Sequence, residues 1–228
     1  NTTGAQNTAV GMYALDANTT ASNNTAIGYS ALTANTTADA NTAIGAHALN
    51  ANTTGTFNVA IGYLTLDACV DGSKNNAVGS FALTNYDPSS AEDSHNNAFG
   101  YNALGANTTG KYNTAMGGNC LDSNTTADDN TALGYSALYS NTAGTPNTAV
   151  GRNSMYANTT GIRNAALGAY SMAANTTGGQ NTAVGTYCMQ HGTTGTSNTA
   201  VGYDCFSQVN TADNNTAVGA YALKANTA

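Results

Sequence analysis

Apolar residues return along this chain in adjacent pairs on a 17-residue period, not at helical spacing and not with the simple alternation of a half-buried strand. The first pair is Ala with an aliphatic residue, as in Ala9-Val10, Ala26-Ile27 and Ala43-Ile44. The second is Ala-Leu, as in Ala14-Leu15, Ala31-Leu32 and Ala137-Leu138. Polar Asn, Thr and Gly fill the intervals. The first pair lies inside a pentad, Asn-x-Ala-(aliphatic)-Gly, present in 13 copies that end on Gly11, Gly28, Gly45 and onward to Gly219. Successive pentad glycines are 17 residues apart, except for a step of 21 from Gly79 to Gly100, so a loop four residues longer falls at 85–95.

Seventeen residues are too few for a helix-pair repeat and fit short strands joined by tight turns. Frequent Gly, Asn and Thr also argue against helix. The period predicts an all-β parallel β-solenoid, or β-roll, of about 13 stacked rungs roughly 4.8 Å apart. Stacking turns each repeat position into a column. Asn7, Asn24 and Asn41 begin an asparagine column suited to an amide ladder. Ala9, Ala26 and Ala43 mark a place with room for a methyl, and the aliphatic residues after them are expected to fill a core. Gly11, Gly28 and Gly45 punctuate the strands, and the Ala-Asn-Thr-Thr-Gly segments supply turn chemistry.

Neighbouring strand residues point to opposite faces, yet both members of each apolar pair stay apolar. Strands apolar on both faces are covered on both. One explanation is a partner chain against the outer face, most simply in a parallel homotrimer or filament. The other is a glycine-centred bulge that turns Ala and Leu to the same side.

Composition narrows the functional classes. Charged residues are only 7% of the chain, as expected if stacking would place like charges one rung apart. A net charge of −7 and five scattered basic residues exclude a nucleic-acid surface. No apolar run is long enough to span a bilayer, so no membrane insertion is expected. The chain begins and ends within its repeat, without the polar caps that close a solenoid. Residues 1–228 are therefore expected to be one continuous array and a piece of a longer fibre.

Units such as Asn-Thr-Ala-Val-Gly-Arg-Asn-Ser-Met-Tyr-Ala-Asn-Thr-Thr-Gly, at Asn147 to Gly161, resemble the repeats of phage tail-fibre proteins and the YadA-like heads of trimeric autotransporter adhesins. The similarity covers essentially the whole chain, and the fibre-type spacing is the nearer of the two. It implies a left-handed roll, trimerisation, an extracellular, cell-surface or virion location, and attachment to a surface.

Candidate chemistry is sparse. Cys120, Cys188 and Cys205 occupy a small-residue column otherwise held by Ala, so they read as slot fillers. Cys188 and Cys205 are one rung apart, within Cα range of a disulfide but with parallel Cβ vectors. Cys69 replaces a turn Asn. His47, His95 and His191 fall in different columns, and no catalytic, metal or nucleotide motif is present, so no enzyme activity and no cofactor are expected. In the long loop, Asp87, Glu92, Asp93 and His95 either are solvated or hold a cation or receptor. Asn18, Asn35, Asn52, Asn107, Asn124, Asn158 and Asn175 each begin Asn-Thr-Thr, a glycan acceptor in a eukaryotic secreted protein or simply a turn. Tyr rows after the glycines pack along the ladder or bind carbohydrate, such as a cell-surface glycan. The leading functional expectation is a structural fibre or adhesin shaft. The alternatives are an ice-binding solenoid using the Thr column (Thr8, Thr25, Thr42, Thr114, Thr131, Thr148) and a carbohydrate-binding surface.

Overall fold

The computed structural model describes residues 1–88, 90, 92–208 and 211–225. Two compact units, 1–113 and 114–228, share one construction. Each is a parallel β-solenoid with no helix among the described residues, in which the central residues of every pentad form a short strand. The first unit carries Thr8–Val10, Thr25–Ile27, Thr42–Ile44, Val59–Ile61, Asn76–Val78 and Asn97–Phe99. The second carries Thr114–Met116, Thr131–Leu133, Asn147–Val150, Asn164–Leu167, Thr182–Val184, Thr199–Val201 and Thr216–Val218. Pairing is in strict register: Ala26 lies opposite Ala43, Ala43 opposite Ala60, and Ala183 opposite Ala200.

Within each unit the pentad glycines form the predicted straight file. Their φ lies between +120° and +141°, a region that side-chain-bearing residues avoid. A Cβ on Gly45 would sit 2.3 Å from the carbonyl oxygen of Gly62, and one on Gly62 would sit 2.7 Å from the carbonyl carbon of Gly79. Glycine is needed twice here, for conformation and for close approach. The file passes the long loop undisturbed, since a Cβ on Gly79 would meet the Gly100 carbonyl oxygen at 2.5 Å.

The two apolar pairs have different fates. Within the strands the alternation is simple: Ala26, Ala43, Ala60 and Ala77 are fully buried, while the flanking residues face outward. The aliphatic column therefore does not fill the core as its pattern suggested. Ile27, Phe99, Met116, Leu167 and Val201 are exposed. The core is filled by the second pair, because Ala31 and Leu32, Ala48 and Leu49, and Ala137 and Leu138 are all buried together. Two left-handed residues in the bend after each pentad glycine break the alternation, for example Ser30 at φ 54° and Leu32 at φ 51°. The bend that begins at the glycine thus explains the second pair.

Holding Leu in this conformation costs about 1–2 kcal/mol. Burying its side chain stabilises by about 1.5–3 kcal/mol, and the Leu32 N–H also donates to Ala48 O at 3.0 Å on the next rung. Burial wins narrowly, which is why the column accepts only large apolar side chains: Leu, then Met155, Met172, Met189 and Phe206.

Two substitutions separate the layers. Gly62→Ala should destabilise by about 3 kcal/mol or more through strain and clash, and Leu66→Ala by about 2–5 kcal/mol through its cavity. Chemical denaturation followed by circular dichroism measures both. A change below about 1 kcal/mol for either would contradict the assigned core.

Candidate functional site

The most elaborate chemistry of each turn is buried and closes the coil. Asn41 opens a strand. Its Oδ1 accepts the backbone N–H of Asn58 at 2.9 Å, and its Nδ2 donates to Gly55 O at 2.8 Å. From the turn, Asn52 Nδ2 donates to the same Gly55 oxygen at 3.0 Å. One carbonyl is thus gripped by two asparagine amides. The clamp repeats at Ala38 with Asn24 and Asn35, at Gly161 with Asn147 and Asn158, and at Gly178 with Asn164 and Asn175. In these rungs turn and strand are pinned together at one point, while at Gly72 the Cys69 thiol takes the place of the turn asparagine.

The expected amide ladder exists, but mainly in the other column. Nδ2 of Asn158 donates to Asn141 Oδ1 and Nδ2 of Asn175 to Asn158 Oδ1, both at 2.8 Å. In the pentad column the rung-to-rung bond runs mostly from backbone N–H to side-chain oxygen, as from Asn24 to Asn7 and from Asn41 to Asn24. The sequence pattern shows that the asparagines stack; it does not show which of their atoms bond.

The burial of these turns also disposes of the glycan acceptors. Asn18, Asn35, Asn52, Asn107, Asn124, Asn158 and Asn175 are at most 2% exposed, and each Nδ2 donates to the carbonyl three residues on. In the folded chain the amide that would carry a sugar points inward. Asn-Thr-Thr is turn chemistry here.

The long loop does not gather its charges around a cation. Glu92–Asp93 pairs in parallel with Gly72–Ser73. Asp93 meets Lys74 Nζ at 2.5 Å, Glu92 meets Lys111 Nζ at 2.5 Å, and Asp87 Oδ1 accepts the Val70 N–H. His95 stacks on Tyr112, with ring centroids 5.8 Å apart. Each acidic group has its own partner, and no cluster of metal-binding side chains occurs among the described residues. In the sequence these lysines are only scattered charges. Lys74 and Asp93 are 19 residues apart, about one rung, and that offset was the available signal.

All four cysteines are buried and free, so Cys188 and Cys205 are not bridged. Burial pushes the thiols up, to about 12 for Cys69 and Cys188 and about 11 for Cys120. Cys188 Sγ donates to Ala200 O, as Ser154 Oγ does to Ala166 O and Ser171 Oγ to Ala183 O. The small-residue column therefore also serves donors that reach a carbonyl. His47 meets Tyr29 ring to ring at 5.3 Å, well separated in sequence from His95 and His191.

The open surface carries two regular features. One is the outward strand face, with a Thr-rich column beside the aliphatic column. The other is a set of cross-rung aromatic chains: Tyr13 to Tyr29 to His47, Tyr63 to Phe81 to Tyr101, and Tyr170 through Tyr187 and Tyr203 to Tyr221, with adjacent centroids 5.3–6.0 Å apart. Packing along the ladder is realised, and many of these rings, such as Tyr13 and Tyr101, remain exposed. No helix among the described residues is long and apolar enough to cross a membrane.

Asn147→Asp keeps the shape and tests the clamp. It replaces the donor to Gly161 O with a buried carboxyl, whose pKa burial raises. The raised folded pKa means that stability is retained at low pH and lost as pH rises through it. The variant should melt closest to wild type near pH 4 and furthest below it near pH 8. A pH-independent difference would contradict the burial of this amide. A thiol reagent at pH 8 should modify none of the four cysteines in the folded chain and all four in denaturant.

Comparison of the chain with protein-family models, with curated proteins and with solved structures finds no match.

Proposed function

We propose that this chain is the structural shaft of an extracellular fibre or adhesin, in which copies of the chain lie parallel with their outer strand faces together and serve attachment to a surface. The observation that carries this reading is the outward aliphatic column. In each unit it places Val, Ile, Leu, Met or Phe in the same position on successive rungs, with Leu167 51% and Met116 45% exposed. Scattered apolar residues on a surface are ordinary; an in-register file of them marks an interaction face. A second copy is the occupant best matched to it, because a parallel neighbour of identical period meets every rung with the same residue. The low charge of the chain removes the like-charge repulsion that such a match would otherwise create. The reading is non-catalytic, needs no cofactor, and includes the left-handed winding and trimer that the sequence resemblance implies.

Sedimentation tests it. The purified chain should run as a trimer, or a larger assembly, at micromolar concentration. Leu167→Asp with Val201→Asp should shift it toward monomer while leaving the circular dichroism spectrum unchanged, since both side chains lie outside the core. A wild-type monomer would overturn the proposal.

One observation favours a second reading. Within each unit the Thr column (Thr8, Thr25 and Thr42 in the first; Thr114, Thr131 and Thr148 in the second) lies on the outward strand face at rung spacing, which suits an ice-binding plane. Val59, Asn76, Asn97 and Ala165 interrupt it. Thermal hysteresis in a monomeric sample would favour this reading over the shaft.

A further inference from the structure

The aromatic chains of the first unit contain a period that the 17-residue repeat does not explain. In the column just after the pentad glycine, Tyr29, Tyr63 and Tyr101 stand on every second rung, with Ala46 and Ser80 between them. The glycine file keeps this spacing regular even across the long loop, since Gly100 stacks on Gly79. At about 4.8 Å per rung, the three phenols recur at about 9.6 Å. All three are open to solvent, at 48%, 48% and 60% exposure. Their orientation is held from the side by rings of the next column: Tyr63 meets Phe81 at 88° and 5.5 Å, and Phe81 meets Tyr101 at 81° and 5.8 Å. Tyr29 is held likewise between Tyr13 and His47, each at 74°.

Crowding does not force the alternation. In the neighbouring column of the second unit, Tyr170 and Tyr187 stand on adjacent rungs and stack at 5.5 Å, so rung spacing itself accepts consecutive rings. Ala46 and Ser80 keep the first column small between its phenols, and on those rungs the rings stand in the neighbouring column as His47 and Phe81. The two columns of this stretch carry no Asp, Glu, Lys or Arg from Met12 to Tyr101, and His47 is their one basic residue, whereas Arg152 and Lys224 lie over the rings of the second unit. The surface suits a neutral ligand with a flat apolar face that returns about every 9.6 Å.

We infer that Tyr29, Tyr63 and Tyr101 form a binding row for an extended, neutral β-1,4-linked glycan, one disaccharide per tyrosine. Such a chain is a ribbon whose sugar rings show C–H faces, and a twofold turn per residue returns the same face once per disaccharide, at a length close to two rungs. An α-1,4-linked glucan coils and offers no such repeat. Each phenol supplies a stacking face together with a hydroxyl for the sugar rim. This goes beyond the shaft proposal and needs only the first unit's exposed row.

Calorimetry on the full chain with cellohexaose, N-acetylchitohexaose and maltohexaose tests it. At least one β-1,4 hexamer should bind, more tightly than its disaccharide, while maltohexaose does not. Tyr63→Ala should weaken binding roughly tenfold or more, and Tyr170→Ala should leave it unchanged. A double variant, Ala46→Tyr with Tyr63→Ala, keeps the number of rings but breaks their spacing, and it too should lose affinity. Failure of both β-1,4 hexamers to bind, equal binding of maltohexaose, or unchanged affinity in the double variant would each overturn the inference. Sedimentation of the same samples reports assembly separately, so a monomer that binds the glycan sinks the shaft alone, and a trimer that does not sinks the row alone.

Discussion

In much of the coil a turn is closed by one backbone carbonyl held by two buried asparagine amides, as at Ala38, Gly55, Gly161 and Gly178, and most other features of the chain follow from that clamp. A turn lined by unpaired peptide groups cannot be buried cheaply, because an unsatisfied donor or acceptor costs about 1–3 kcal/mol. Asparagine answers this with one side chain that both donates and accepts. At Gly55 the donor sides of Asn41 and Asn52 converge, and the acceptor side of Asn41 takes the N–H of Asn58. With the polar groups spent inward, the interior can be thin: a methyl from Ala, one Leu per turn, and little else.

That economy has an energetic consequence. Leu in the left-handed region gives back much of what its burial contributes, so no single rung is strongly stable. Stability accumulates by repetition, each rung supplying the N–H groups and carbonyls that its neighbours need. Low charge belongs to the same arrangement, because any charge in a column would stand about 4.8 Å from its copy. Lys74 and Lys111 occur where the long loop provides Asp93 and Glu92 to meet them.

Much of this was legible in the residues. The 17-residue step gave the rungs, the register and the glycine file, because a column shared by every copy can be read without knowing its surroundings. What could not be read was direction. Ala26 and Ile27 look like equivalent core residues, and only the strand's alternation assigns one inward and the other outward. Ala31 and Leu32 look like the same pair, yet positive φ at Ser30 and Leu32 sends both inward. Hydropathy records how apolar a position is and carries no sign for the face it occupies. The asparagines raised a similar difficulty: Asn-Thr-Thr reads equally as an acceptor sequence or as a turn, and burial of Asn52 and Asn158 decides for the turn. The tyrosine row was visible as residues, but its two-rung beat has meaning only once the glycines are known to stack.

The detour at 85–95 shows a further property of this architecture. Four added residues leave the chain on the next rung with Gly100 over Gly79, so contour length at that corner is decoupled from axial rise. The corner behaves as a bypass. Chain of variable length, and with it a new epitope or recognition element, can be spliced in there while the phase of the sheet above and below is kept.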